Sequence, residues 1–175
     1  MAHTETMLES KEIFNGRVIR VTVDKVQLED GTTSTREIVH HHGGACILPV
    51  DADGSVTMVR QFRYAFGEEI WELPAGKLEA DEDPFEAAKR ELSEETGYEA
   101  EGWQHLLSIA TTPGFSDEII HLYKAWGLRK FAQHTDEDEF IGVQAFTPAQ
   151  LQEMVARGEL YDSKSLCALY AAGIL

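Results

Sequence analysis

Apolar and polar residues alternate over several short stretches of the chain, the pattern of half-buried strands. The clearest stretch is residues 17–28, where Ile19, Val21 and Val23 alternate with polar residues and a bulge is expected at Asp24 and Lys25. A turn at residues 29–31 and a second strand at 35–41 complete an N-terminal hairpin. Further strands are predicted at residues 45–50, 55–62, 70–73, 103–109, 119–127 and 140–146. Residues 1–16 are polar and are expected to be flexible.

Helix signals occur in three places. Asp83 can cap a helix that has Pro84 in its first turn, Glu86 is placed to complete a capping box, and Gly97 is a suitable end, which predicts a helix over 84–96. A capping box that starts at Thr147 predicts a helix ending at Gly158, and a last helix is expected over 163–172, its inward side formed by Leu166, Leu169 and Tyr170. Strands mixed with helices predict a single α/β layered sandwich over residues 17–175.

The helix predicted over 84–96 has two distinct faces. Phe85, Ala88 and Leu92 form an apolar stripe suited to packing on a core. Glu91, Glu94 and Glu95 share another face, where like charges destabilise a helix by a few tenths of a kcal/mol per pair. This arrangement is explained if a divalent cation binds there, because hard cations such as Mg²⁺ prefer carboxylate oxygens.

The net charge of −16 over 175 residues limits the classes of partner. It disfavours nucleic acids and anionic membranes, and an anionic substrate would need metal ions between itself and the protein. Cys46 and Cys167 are too few for a disulfide framework, so we expect two free thiols in a reducing compartment. No basic segment followed by an apolar run occurs at the N-terminus, and a cytoplasmic protein is expected.

The acidic helix and the loop before it carry a specific pattern. A Gly is followed after five residues by Glu and, after seven more, by Arg-Glu-apolar-x-Glu-Glu-x-Gly, which here are Gly76, Glu82, Arg90, Glu91, Leu92, Glu94, Glu95 and Gly97. This pattern resembles the signature of the Nudix hydrolases. The resemblance implies a Nudix-type α/β/α sandwich with a mixed sheet, and water attack on the diphosphate of a nucleoside diphosphate linked to another moiety.

The resemblance also implies a metal site. Glu91 and Glu95 would be the main ligands of Mg²⁺, with Mn²⁺ as a substitute, and Glu94 would lie beside them. Ala75 would add a backbone carbonyl, and Arg90 would pair with the acids and orient them. Glu82 would act through water or through Arg90.

Two further features resemble the ADP-ribose pyrophosphatase group within that family. Residues 71–76 read Trp-Glu-Leu-Pro-Ala-Gly, and Pro113 lies sixteen residues after Gly97 in a Pro-Gly-Phe-x-Asp-Glu loop. His42 departs from the group, which has Pro there. The resemblance implies that Glu118 binds the terminal ribose and that Arg60 and Arg63 lie near the diphosphate. The substrate-binding residues expected on this basis are Arg36, Arg60, Arg63, Glu72 and Glu118.

The general base in this group comes from a Glu on a loop after the signature helix. Here that loop is 135–139, and Glu137 is the first choice, with Glu139 second. A solvated acidic loop is the alternative for either residue. His40, His41 and His42 are consecutive, and because neighbouring strand residues point to opposite faces they are not expected to bind one metal ion together.

The function expected is Mg²⁺-dependent hydrolysis of ADP-ribose to AMP and ribose 5-phosphate. Alternatives are another nucleoside diphosphate sugar, such as GDP-mannose or ADP-glucose, and a catalytically silent module that binds a nucleotide sugar. The resemblance implies a homodimer formed through the N-terminal strands at about 17–41, with no nucleic-acid or membrane partner.

Overall fold

The computed structural model describes residues 3–131 and 141–175. The chain divides into two compact units, one formed by Met1–Gly43 with Ala110–Ile119 and the other by Gly44–Ile109 with Ile120–Leu175. No helix in the described part of the chain is long and apolar enough to span a bilayer.

The first unit contains an antiparallel three-stranded sheet in the order β1-β2-β3, formed by β1 (Thr6–Asn15), β2 (Arg20–Gln27) and β3 (Thr33–His40). The loop that includes Phe115 pairs with β3: the N–H of Val39 donates to the carbonyl of Phe115 at 2.7 Å, and the N–H of Asp117 donates to the carbonyl of Val39 at 3.3 Å.

Two expectations for this unit are corrected. Residues 6–15, expected to be flexible, form β1, because hydrogen bonds to β2 order a strand whose side chains are all exposed. Backbone pairing of this kind produces no pattern of polar and apolar residues, so the strand could not be predicted from the sequence. The irregularities of the sheet also lie in β1, around Leu8 and Ile13, whereas β2 pairs with β3 in continuous register past Asp24 and Lys25.

The second unit is built on a mixed sheet with the strand order β10-β5-β4-β9-β8, where β6 pairs with β5 and β7 with β4. Its strands are β4 (Gly44–Val50), β5 (Val56–Arg63), β6 (Glu68–Glu72), β7 (Ala75–Lys77), β8 (Tyr98–Ala110), β9 (Ile119–Lys130) and β10 (Gly142–Phe146), and its helices are α1 (Pro84–Thr96), α2 (Pro148–Ala156) and α3 (Ser163–Ala171). The predicted helices and most predicted strands are confirmed within a few residues; β7 was not predicted.

Alternating residues of the central strand β4 separate two apolar cores. Ala45 and Ile47 pack with Leu92 of α1 on one face of the sheet. Cys46 and Leu48 pack on the other face with the buried residues of α2, α3 and the segment between them, including Leu151, Met154, Leu160 and Leu169. Helices therefore cover both faces, which confirms the α/β/α sandwich.

Local capping agrees with the sequence in most places. Asp83 accepts hydrogen bonds from the N–H groups of Phe85 and Glu86 at the start of α1, and Gly97 ends that helix with φ of 70°. The expected capping-box role of Glu86 is not observed, because its carboxylate pairs with Lys89 at 2.6 Å. Tyr170, expected to face inward from α3, is 76% exposed.

Candidate active site

The acidic face of α1 is organised around one guanidinium group. Arg90 donates from Nε and Nη2 to the two oxygens of Glu82, at 3.0 Å each. Its Nη1 donates to Glu91 at 2.6 Å and to Glu94 at 2.9 Å. Arg90 therefore contacts three signature acids at once.

These contacts shift the protonation equilibria of the partners. The hydrogen bond to Glu82 raises the pKa of Arg90 far above its usual value, with Glu91 and Glu94 adding to the effect. The hydrogen bonds from Arg90 lower the pKa of Glu82 more than desolvation raises it. Both side chains are therefore charged at neutral pH.

Two carboxylates of α1 reach the backbone of the short strand β7. Glu95 is 2% exposed and accepts the N–H of Ala75 at 2.9 Å. The carboxylate of Glu91 lies where a β-carbon would be placed at Gly76. Because Gly76 has no side chain, the strand and the helix can approach closely enough for both acids to converge on the same two residues.

The residues around β7 fit a hard divalent cation by their chemistry. Glu91 and Glu95 offer carboxylate oxygens one helical turn apart, and the peptide of Ala75 lies beside Glu95. In the described part of the chain, no three His, Cys, Asp or Glu side chains are gathered into a ready-formed ligand cluster. Glu94, the third acid expected here, is engaged by Arg90.

A second charged cluster surrounds Glu72, in the segment that leads into β7. Glu72 is 2% exposed and accepts two hydrogen bonds from Arg63, at 2.9 Å from Nε and a shorter one from Nη2. Its carboxylate is also 3.2 Å from Nζ of Lys164, which in turn lies 3.0 Å from Asp162. The carboxylate of Glu72 is thus directed toward two cations of its own chain.

Arg60, the other expected diphosphate contact, lies on β5. Its guanidinium is 3.1 Å from Glu69 and 5.7 Å from the centre of the Trp71 ring. The side chain is about half exposed. An exposed ion pair of this kind contributes little to stability, so the guanidinium can exchange its carboxylate for another anion.

Expected substrate residues also occur in the first unit. Glu118 accepts a hydrogen bond from Thr111 at 2.7 Å and lies 3.2 Å from Nδ1 of His41. Arg36 pairs with Glu5 and donates to Ser34 at 3.0 Å. Both side chains are on or next to β3.

Two of the three consecutive histidines make separate hydrogen bonds in this unit. His40 contacts Asp117 through Nδ1 at 2.6 Å and Thr22 through Nε2 at 3.1 Å. Nδ1 of His41 accepts the N–H of Gly43 at 3.0 Å. These contacts are consistent with structural roles for His40 and His41.

Sequence reasoning missed Asp162, Lys164 and Ser165. Asp162 caps α3 by accepting hydrogen bonds from the N–H and hydroxyl of Ser165. The available signal was a Lys directly after an Asp-Ser helix start on an otherwise apolar helix. The two candidate general bases, Glu137 and Glu139, lie outside the described residues.

Two family models match the chain. The model described as NUDIX domain matches residues 40–168, and the model described as nucleoside diphosphate sugar hydrolase N-terminal domain matches residues 5–39. Together they extend over both units.

Relatives that are similar over nearly the whole chain include two proteins of Bacillus species. A protein of Bacillus methanolicus named methanol dehydrogenase activator is 45% identical, covering 94% of this chain and 90% of its own. A protein of Bacillus subtilis named ADP-ribose pyrophosphatase is 41% identical, with the same two coverages. A crystal structure titled ADP compounds hydrolase superposes with a TM-score of 0.85 at 18% identity, covering 97% of this chain and 92% of that one, and supports the fold.

Proposed function

The chain belongs to the Nudix hydrolase family, and we propose that it hydrolyses the diphosphate of ADP-ribose to AMP and ribose 5-phosphate with Mg²⁺ as the activating ion. One observation carries this proposal: the carboxylates of Glu91 and Glu95 converge on the backbone of Ala75 and Gly76. The names of the similar proteins select the substrate class, because the described site residues do not by themselves distinguish the sugar.

The metal-binding end of the site is assigned to residues of the second unit. Glu91 and Glu95 would hold the cation, with the carbonyl of Ala75, and Glu94 would lie beside them on α1. When bound, a divalent cation neutralises the phosphate oxygens and lowers the pKa of the attacking water. Arg90 orients Glu91 and fixes Glu82.

The remaining roles follow the family pattern. Glu137, or Glu139 as the second choice, accepts the proton of the attacking water. Arg60 and Arg63 bind the diphosphate, Arg36 and Glu118 are the further substrate-binding residues, and Glu72 keeps Arg63 in place. Glu137→Gln and Glu139→Gln are compared by kcat: a loss of about 100-fold or more in one of them identifies the base.

The N-terminal sheet supports the proposal of a homodimer. Strand β1 exposes several large apolar side chains, which are more often covered in an assembly than left in water: Met7, Leu8, Ile13 and Phe14 are each at least half exposed. Sedimentation equilibrium should give twice the mass of the chain. A species with the mass of one chain at micromolar concentration would refute the dimer.

A substrate panel tests the reaction. ADP-ribose, GDP-mannose, ADP-glucose, UDP-glucose, NADH and a nucleoside triphosphate are compared by kcat/KM with Mg²⁺, with the products separated by chromatography. We expect AMP and ribose 5-phosphate chiefly from ADP-ribose. A preference for GDP-mannose or ADP-glucose would support the proposed hydrolysis of a diphosphate and would show that ADP-ribose is not the preferred substrate.

A silent nucleotide-sugar-binding module is the alternative of another class. The name of the Bacillus methanolicus relative describes an action on another protein, which gives this alternative some support. The complete acid set of α1 favours the enzyme, since a module that only binds has no need of Arg90 and three aligned carboxylates. Calorimetric binding of ADP-ribose without any phosphate product over hours would favour the module.

A further inference from the structure

The start of α3 is joined to the segment that leads into β7. Ser165 is fully buried, and its hydroxyl oxygen accepts the N–H of Leu73 at 2.7 Å. The same hydroxyl donates to Asp162 at 2.5 Å, so its direction is fixed by the helix cap. Helix α3 therefore determines the position of the Leu73 peptide.

An ion-pair chain strengthens this connection. Lys164 is 9% exposed and bridges Asp162 of the cap, at 3.0 Å, and Glu72, at 3.2 Å. Burial lowers the pKa of Lys164, but Asp162 and Glu72 raise it by more, so the ammonium group is charged. Two neighbouring residues of α3 thus hold two neighbouring residues of the segment, Glu72 and Leu73.

This segment continues directly into the metal-binding end of the site. The carbonyl of Pro74 accepts the N–H of Ile47 at 2.8 Å, and the N–H of Ala75 donates to Glu95 at 2.9 Å. Only Pro74 stands between the peptide fixed by Ser165 and the peptide that orients Glu95. A displacement at Leu73 would therefore act on Ala75 through a single residue.

Stability alone does not account for the lysine. Lys164 is the second residue of α3, where the helix dipole disfavours a positive charge. Buried ion pairs can often be replaced by well-packed apolar residues of similar volume with no loss of stability. A requirement to position the backbone next to the metal site explains the presence of Lys164 better.

We propose that Lys164 and Ser165 are positioning residues for the metal site: they hold the segment 72–75 from behind and thereby place Ala75 and Glu95 for the cation. This inference rests on the proposed function in requiring a divalent cation at Glu91 and Glu95. Residues of α3, which lies outside the Nudix signature, thereby contribute to the affinity for the metal ion.

The test measures Mn²⁺ binding to the full-length protein freed of metal, by electron paramagnetic resonance of the unbound ion. Lys164→Met and Ser165→Ala should each weaken Mn²⁺ binding by about 10- to 100-fold, the range for residues that orient metal ligands. Lys164→Arg should recover part of the affinity lost in Lys164→Met. Ser163→Ala is the matched control, because its exposed hydroxyl lies on the same helical turn, and it should bind as the wild type does.

Kinetics provide a second readout. At subsaturating Mg²⁺, kcat should fall in Lys164→Met and Ser165→Ala, and excess Mg²⁺ should restore most of it while the KM for ADP-ribose changes less than about threefold.

Folded Lys164→Met or Ser165→Ala protein with wild-type Mn²⁺ affinity would overturn the inference. If Lys164→Met does not fold, Ser165→Ala decides, since it removes a single hydroxyl. Wild-type protein that binds Mn²⁺ but cleaves no nucleotide would reject the proposed function, and the Mn²⁺ comparison would still decide the positioning role.

Discussion

The carboxylate of Glu91 occupies the space that a β-carbon would fill at Gly76. The backbone at Gly76 is not in the left-handed region, so the glycine is needed for space and not for its conformational freedom. The atoms in that space belong to the far end of a flexible side chain. A β-carbon at position 76 would therefore displace the carboxylate before it disturbed the backbone.

Gly76→Ala is expected to separate activity from stability. The variant should fold, with a thermal midpoint within a few degrees of the wild type, and should bind Mn²⁺ about 10- to 100-fold more weakly because Glu91 has moved. Calorimetry and circular dichroism measure the two properties. Gly142→Ala is the control, because a β-carbon there meets only ordinary contacts at 3.7 and 3.8 Å. Wild-type Mn²⁺ affinity in Gly76→Ala would contradict the assignment of Glu91.

Glu95→Gln should lower kcat at saturating Mg²⁺ by about 100-fold or more, because a lost metal–carboxylate contact is worth several kcal/mol in the transition state. The amide oxygen can still accept the N–H of Ala75, so the fold should persist. Glu94→Gln is the matched comparison: its side chain is 38% exposed and pairs with Arg90, and we expect a loss within about 10-fold. Equal losses in the two variants would show that both acids bind the metal.

The two thiols should differ in reactivity. Cys46 is fully buried, and burial raises the pKa of its thiol well above the usual value, whereas Cys167 is partly exposed. In native protein, iodoacetamide at pH 8 should label Cys167 first and Cys46 only after denaturant is added, as mass spectrometry of the peptides would show. Labelling of Cys46 in native protein at the rate of Cys167 would indicate that the core around β4 opens.

The sequence predicted α1 and its acids well because every determinant is local. Asp83 and Gly97 fix the ends of the helix, and the spacing of Glu91, Glu94 and Glu95 places them on one face. The contacts made by Glu72 could not be predicted in the same way. They depend on Lys164, a residue of α3 that only the packing of the sheet brings near.

Strand β1 of the first unit also could not be predicted from the sequence. Strand β1 has no buried side chain, so no pattern of apolar residues marks it, and it is held by backbone pairing to β2. Hydrophobic patterning in a sequence predicts strands whose side chains are buried within the chain, and β1 buries none of its side chains. Its apolar side chains would become buried only against a partner surface.

The stability contributed by the pair of Glu82 and Arg90 should depend on pH. The pKa of Glu82 is lowered in the folded protein, so the pair stabilises the fold above the ordinary value of 4.5, and this contribution is lost as the pH falls through the folded pKa. Glu82→Gln should cost about 1–2 kcal/mol in the free energy of unfolding at pH 7, the range for a hydrogen-bonded charge pair that is mostly shielded from water. Urea unfolding at pH 7, 5 and 4 should show the difference from wild type shrinking as the pH decreases. Glu86→Gln is the control, because its carboxylate is 62% exposed and pairs with Lys89, and its effect should stay within about 0.5 kcal/mol. A cost for Glu82→Gln that is the same at all three pH values would mean that its carboxylate acts by shape and hydrogen bonding, and not by its charge.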